Sequence, residues 1–397
     1  MSKINKHQTA LDQGADLEHY RRSLEYALGI PFTDGNKVEI LQNGVQIFPG
    51  MLEAIRGAQK TIDFVTFVYW RGDIATEFAE ALADRAKNEV TVRLLLDSFG
   101  AKKIAGDLVK EMQAAGVQVR WFRPLATWRV WRIDKRTHRK LLICDNEIGF
   151  TGGVGIAEEW QGDASGPDQW RDTHARIQGV ALKGLRAAFL DNWNEAGAWL
   201  YEGVPKKVHY EVSGDIPVQV VRASATLGWT DMACLVRTLI AISQNSLRIV
   251  TAYFTPDPLL VELIKRAVER GVDVQILVPG DQTDSRLSQL AGHGGVEKIL
   301  QAGANVWRYQ KTLLHAKIII VDSLVCCIGS ANLNYRSMGK DEECCVVALS
   351  ERLSMELNER FDADCQDAER LCYEEWAQRN FTLRIKESCA RLLVEQL

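Results

Sequence analysis

The chain of 397 residues is long enough for two or three domains, or for one large body made of two similar halves. With 46% hydrophobic, 25% charged and 8% aromatic residues it has the composition of a folded globular protein, which excludes a disordered or fibrous chain. A formal net charge of -4 argues against a uniformly positive surface for nonspecific nucleic-acid binding, and nine cysteines with no C-x-x-C spacing exclude a disulfide framework and a cysteine zinc site.

From the N-terminus, Met1 to Tyr20 is polar and has no apolar h-region, so no secretory signal is expected. Most of the cysteines fall in apolar runs as small core residues, which points to a reducing compartment, the cytosol. Ile62 to Tyr69 has the length and β-branched content of a strand, and Ile74, Phe78 and Leu82 then recur at helical spacing. A buried-type strand follows at Val90 to Leu96, then a further helical stretch, then a turn and strand at Ala115 to Val119. The order repeats later: Leu247 to Phe254, a helix through Leu260, Ile264 and Val268, Val272 to Val278, and Ala302 to Val306. Strand, helix, strand, helix, strand is the pattern of a mixed sheet covered by helices. The expected fold is α/β in two similar halves, residues 1–205 and 206–397, packed about a pseudo-twofold axis, with a C-terminal helix from about Ser350 to Trp376. The longest apolar stretch, Leu314 to Val325, is broken by charge well short of the ~20 residues a bilayer crossing needs.

Each half ends its repeat in the same motif, His138-x-Lys140-x-x-x-x-Asp145 and His315-x-Lys317-x-x-x-x-Asp322. A glycine stands seven positions after the aspartate in both copies, Asp145 to Gly152 and Asp322 to Gly329. Residues two apart on an extended strand share a face, so each histidine emerges beside its lysine. If the halves meet about a twofold axis, both pairs face one cleft. Two imidazoles at one phosphorus are a complete set for phosphodiester transfer: a neutral ring attacks and a protonated ring protonates the leaving alkoxide. The lysines supply fixed positive charge to the non-bridging oxygens, so neither a metal nor another cofactor is called for.

The paired motifs resemble those of the phospholipase D superfamily, and the resemblance runs over nearly the whole chain. It implies that polar residues after each motif bind the phosphate, which are Ser330 and Asn332 in the second copy but Gly153 and Gly155 in the first. It further implies an acid on a following strand to hold each histidine, with Glu343 assigned to His315 and Asp172 to His138. In relatives the first-copy histidine acts as nucleophile, which gives that role to His138 and the acid role to His315, while Asp145 and Asp322 are mainly structural. Gly35 to Leu41, the Asn43-Gly44 turn, Phe48 to Ile55 and Gly329 to Ser337 are similar to bacterial cardiolipin synthases, in particular to the short type without transmembrane helices. That similarity implies transfer of a phosphatidyl group to an alcohol such as phosphatidylglycerol, by a cytoplasmic protein peripheral to the inner face of the cell membrane, with no protein partner inferred. The alternatives are hydrolysis to phosphatidic acid, a nuclease of the same superfamily, and a non-enzymatic lipid-binding protein, the last prompted by Gly155. Against the nuclease stands the acidic net charge; against decay stand two complete His/Lys pairs.

Only the first half carries an insertion, because Gly116 to His138 spans 22 residues and Gly303 to His315 only 12. From Arg120 to Lys140 there are eight Lys or Arg and one acid, interleaved with tryptophans. Trp128, Arg129, Trp131 and Arg132 are read as a membrane or substrate loop, with rings at headgroup depth and cations toward anionic lipid. A solvated basic loop or an internal phosphate-binding loop are the other readings. His174 and His293 are read as structural or surface residues.

Overall fold

A computed structural model describes residues 17–124, 135–197, 210–224 and 230–392. In chain order the first half comprises α1 (17–28), β1 (Thr33–Gln42), α2 (Asn43–Gly57), β2 (Thr61–Thr66), α3 (Asp73–Lys87), β3 (Thr91–Asp97), α4 (Gly106–Ala114), β4 (Gln118–Phe122), β5 (Leu141–Cys144), β6 (Ile148–Gly152), β7 (Thr173–Gln178) and α5 (Leu182–Glu195). The second comprises β8 (Ile216–Ala223), α6 (Asp231–Ile242), β9 (Ser246–Val250), α7 (Pro258–Glu269), β10 (Asp273–Pro279), α8 (Arg286–Gln301), β11 (Asn305–Tyr309), β12 (Ile318–Val321), β13 (Val325–Gly329), α9 (Tyr335–Gly339), β14 (Glu343–Leu349), α10 (Glu351–Gln366), β15 (Ala368–Arg370), α11 (Tyr373–Ala377) and α12 (Phe381–Arg391).

The strands form one hydrogen-bonded succession, β15-β11-β10-β9-β12-β13-β14-β8-β1-β7-β6-β5-β2-β3-β4. Read outward from the β8–β1 seam, the two sides repeat one topology: β14, β13, β12, β9, β10, β11 on one and β7, β6, β5, β2, β3, β4 on the other. The strands with a helical crossover (β2–β3–β4 and β9–β10–β11) are parallel, and the hairpin strands are antiparallel, as short connections require. The mixed sheet flanked by helices, in two similar halves, is the expected class. The proposed boundary between residues 205 and 206 lies outside the described residues.

Burial explains the layers. α2, α3 and α4 cover the outer face of the first half through Ile55, Phe78 and Met112, and α6, α7 and α8 cover that of the second through Leu239, Ile264 and Ile299. Between the halves lies a shared core, where Phe189 and Trp193 of α5 and Leu357 and Phe361 of α10 meet inward-facing residues of both sheets such as Val65 and Ile320. β6 and β7 also touch β13 and β14 across this core. The C-terminal helix ends earlier than the sequence suggested. α10 stops at Gln366, and Ala368–Arg370 pairs antiparallel with β11 instead, so Trp376 belongs to the separate short α11. A helical pattern in the sequence does not register that a free sheet edge competes for the chain.

Candidate active site

Each motif begins on an extended arm just before the central strand of its half, and each arm is fastened to the other half. Thr137 bridges Glu342, with His138 N–H donating to Glu342 O (2.9 Å) and Glu342 N–H to Arg136 O (2.8 Å). Arg171 bridges Leu314 in the same way, with His315 N–H donating to Arg171 O (2.7 Å) and Arg171 N–H to Leu313 O (2.8 Å). The consequence is an exchange of acids. His138 Nδ1 lies 3.1 Å from Glu343 Oε1, and His315 Nδ1 lies 2.9 Å from Asp172 Oδ2. The pairing expected from sequence, Glu343 with His315 and Asp172 with His138, is therefore corrected: each histidine is held by the carboxylate of the opposite half. An acid on Nδ1 leaves Nε2 as the nitrogen available for chemistry and fixes the tautomer.

The two acids are braced differently. Glu343 accepts from the hydroxyls of Ser330 and of Ser337 (2.6 Å). Asp172 accepts from the Trp160 indole N–H (2.9 Å) and from the Thr173 backbone N–H (2.7 Å). Trp160 and Ser337 were missed in the sequence although a signal existed, since each lies fifteen residues past its motif aspartate, 145 to 160 and 322 to 337. A serine at 153 to match Ser330 has no room, because a Cβ there would sit 2.2 Å from Asp172 Oδ1. At Gly155 a Cβ would lie 2.6 Å from Val68 Cβ, so the asparagine found at 332 has no counterpart. The Gly153 and Val154 amides are already given to Thr173 O and His174 Nδ1, both at 3.4 Å. Asn332 is 2% exposed, and its Oδ1, an acceptor, has no hydrogen-bond partner among the described residues.

Both lysines curl back over their histidines. Lys140 Nζ donates to His138 O (2.9 Å), and Lys317 Nζ lies 2.9 Å from His315 Nδ1 and also donates to His315 O. Burial lowers Lys140 to about 8 and Lys317 to about 7, against the pull of Glu343 and Asp172. Burial and the Lys317 ammonium press His315 down to about 3, and burial alone leads the fall of His174 to about 4. Burial opposes ionisation of Glu343, yet the His138 ring, Lys140 and the Ser330 hydroxyl bring its carboxyl down to about 2. Burial likewise opposes ionisation of Asp172, and His315 and Lys317 outweigh it. Aromatic rings complete the walls. Trp160, Trp170 and Tyr253 have centroids 5.2, 5.4 and 6.3 Å from that of His315, and Phe67 lies 5.2 Å from His138.

The motif aspartates sit at the other end of the strands. Asp145 accepts from the N–H groups of Gln59, Lys60 and Thr61, and Asp322 from those of Gln244, Asn245 and Ser246 and from the Tyr20 hydroxyl. Trp128, Arg129, Trp131 and Arg132 lie outside the described residues. The base of their insertion is closed: Arg123 Nη1 donates to Lys135 O (2.8 Å), and Arg136 pairs with Asp97 and donates to Phe122 O. His174 is buried on β7, and His293 Nδ1 meets Glu387 at 2.9 Å. No helix among the described residues is long and apolar enough to cross a membrane.

Comparison with known proteins identifies the family to which the chain belongs. The family described as "Cardiolipin synthase, PLD-like domain" matches residues 51–159 and 236–365, one segment in each half. Cardiolipin synthase 1 of Bacillus cereus is 31% identical over 377 residues, covering 92% of this chain and 73% of its own length. A cardiolipin synthase of a Geobacillus species is 31% identical over 392 residues, covering 97% and 78%. In fold, the chain is similar to the crystal structure of phosphatidylserine synthase from Haemophilus influenzae, with a TM-score of 0.74 at 15% identity, over 96% of this chain and 100% of that one. The chain therefore belongs to the phospholipase D superfamily and, within it, to the cardiolipin synthase family of phosphatidyltransferases.

Proposed function

We propose that the protein is a cardiolipin synthase-like phosphatidyltransferase that takes a phospholipid and passes its phosphatidyl group to an alcohol such as phosphatidylglycerol through a phosphohistidine. The observation that carries this reading is the pair of cross-held imidazoles, each fixed through Nδ1 by an acid of the opposite half. Nε2 of one neutral ring attacks phosphorus. The bond from phosphorus to the leaving alcohol breaks as the other, protonated ring gives up its proton. That second ring, now neutral, takes the proton of the acceptor hydroxyl as its oxygen attacks phosphorus, the P–N bond breaks, and the first ring is restored. Lys140, Lys317 and Asn332 grip the non-bridging oxygens. Both histidines are buried and border aromatic rings, which supports an alcohol of a lipid over bulk water as acceptor. The protein works at the cytoplasmic face of the membrane, where its substrate lies, with the Trp128–Arg132 loop contributing contact.

Purified protein with labelled phosphatidylglycerol vesicles is expected to release cardiolipin and glycerol. Phosphatidic acid alone would mean hydrolysis, and no lipid turnover would reject the reading. Family resemblance gives the nucleophile role to His138 and the acid role to His315. A second assignment, with the roles exchanged, is favoured by the depression of His315 to about 3, because a nucleophile must be unprotonated. A phosphoenzyme trapped in His315→Ala supports the first assignment; one trapped in His138→Ala supports the second.

A further inference from the structure

The exposed apolar side chains differ in their company at the two ends of the sheet. β5 and β12 run antiparallel to β2 and β9, so the histidines that precede β5 and β12 lie at the C-terminal ends of β2, β3, β9 and β10. At this end three exposed residues stand beside cations. Phe99, 49% exposed, follows β3; Lys102 Nζ lies 4.7 Å from its ring centroid, and Lys103 Nζ lies 3.9 Å from that of Trp70. Tyr335, 41% exposed, opens α9 with Lys340 Nζ 5.8 Å from its ring. Leu287, 41% exposed, follows Arg286, whose exposed guanidinium lies 4.0 Å from Asp281, at the start of α8. Val45 and Leu259 share this end and add apolar area without a neighbouring cation. At the opposite end, the exposed Val212 and Met355 each adjoin a glutamate in sequence, Glu211 and Glu356, while on the flanking α12 the exposed Ile385 lies between Arg384 and Lys386.

Short contacts tie each of the three cationic lips to the catalytic rings. Gly100, next to Phe99, packs against Phe67, the ring beside His138, and its carbonyl accepts from Trp70 Nε1 at 2.8 Å. Trp70 in turn packs 6.4 Å from Trp160, which touches His315. Tyr335 is two residues from Ser337, the hydroxyl that braces Glu343. Asp284, three residues before Leu287, accepts the Tyr253 hydroxyl at 2.6 Å, and that ring borders His315.

We propose that these lips (Phe99 with Lys102 and Lys103, Tyr335 with Lys340, Leu287 with Arg286) form a docking surface for an anionic phospholipid bilayer, so that the cleft opens directly into the headgroup layer. The inference rests on the phosphatidyl-transfer reading and adds the surface that delivers the substrate. Rings with a polar edge settle at headgroup depth, and lysine and arginine meet lipid phosphates while their stems stay against apolar surface. Such an arrangement gives a chain of net charge -4 a local attraction to anionic membranes at the face that carries the cleft.

The test compares the wild-type protein with two variants, K102Q/K103Q and F99S/Y335S, on vesicles of phosphatidylcholine with and without phosphatidylglycerol. Wild type is expected to bind the phosphatidylglycerol vesicles and the lysine variant to bind them about thirtyfold more weakly, the loss of two cations near such a surface. The aromatic variant is expected to lose binding to the phosphatidylglycerol vesicles as well. Both variants should turn over monodisperse short-chain phosphatidylglycerol at the wild-type rate, and K102R/K103R should keep vesicle binding. Vesicle binding equal to wild type in both variants overturns the docking surface, and so does an equal loss of activity on vesicles and on monodisperse lipid, which would place the effect in the cleft. A wild-type protein that turns over neither substrate would reject the phosphatidyl-transfer reading instead, whatever its binding to vesicles.

Discussion

At the scale of single residues, the two halves solve one problem with different side chains. Glu343 has one more methylene than Asp172, which leaves space for Ser330 beneath it; the shorter Asp172 fills the space that a side chain at 153 would need and leans on the Trp160 indole instead. Trp160 thereby positions Asp172, and through it His315. Trp160→Phe keeps the ring against His315 and removes only the N–H, so kcat is expected to fall roughly tenfold to a hundredfold, the worth of one hydrogen bond to a charged group, with KM little changed. The limb of the pH–rate profile that reports His315 should shift as well, whereas a purely structural role would leave the profile in place. Ser337→Ala should act in the same manner through Glu343 and His138. Steady-state kinetics across pH check both, and an unaltered kcat and profile in Trp160→Phe would remove it from the positioning set.

At the scale of elements, the motif aspartate explains itself once the hairpins are seen. Asp145 and Asn146 have φ of 56° and 57°, and Asp322 and Ser323 have 53° and 56°, so each three-residue β5–β6 and β12–β13 connection contains a β-turn with both central residues left-handed, closed by Glu147 N–H to Cys144 O and Leu324 N–H to Val321 O. Turns of this kind match the twist of the flanking strands and favour Asp and Asn. The carboxylate then collects three N–H groups at the start of the neighbouring antiparallel strand, locking β2 to β5 and β9 to β12. Asp145→Ala is expected to destabilise the protein by roughly 3 kcal/mol, about 1 kcal/mol for each hydrogen bond lost. Asp322→Ala should cost more, because the hydrogen bond from the Tyr20 hydroxyl is lost too. Thermal melting combined with active-site titration checks this: kcat per active molecule should be unchanged, and a fall in kcat at unchanged Tm would place the aspartates in the chemistry.

At the scale of the whole molecule, closing two halves over one cleft concentrates ionisable groups away from water, and stability inherits a pH dependence from that. Lys140 and Lys317 stand at about 8 and 7 against an ordinary 10.5, and His315 at about 3 against 6.5. For each group the unfolded chain binds more protons between the two values, so its contribution is complete above the unfolded value and is lost as pH falls through the interval. The ligand-free protein is therefore expected to lose stability on acidification from 10.5 toward 7 through the lysines, and from 6.5 toward 3 through His315. Sulfate, ionised throughout, favours the protonated lysines, so its rise in Tm should be large at about pH 6 and small at about pH 9. Scanning calorimetry with and without sulfate reads both effects, and a sulfate response independent of pH would contradict the lowered lysines.

The sequence by itself determined the duplication, the order of strands and helices, and the two His/Lys pairs, because all of these rest on local periods of two and 3.6 residues and on fixed offsets within each copy. Even the bracing pair of Trp160 and Ser337 was legible in principle, as a shared distance from the motif. Tertiary structure alone decided which acid serves which histidine. His138 meets Glu343 across 205 residues and His315 meets Asp172 across 143, and each contact is created by an arm of one half bridging the other, which no spacing within a half encodes. It also decided that the site is lopsided. Gly153 and Gly155 read in sequence as missing side chains, and in space they are positions already filled by Asp172 and Val68. The end of α10 at Gln366 belongs to the same class, since the open edge of β11 captured the residues that follow.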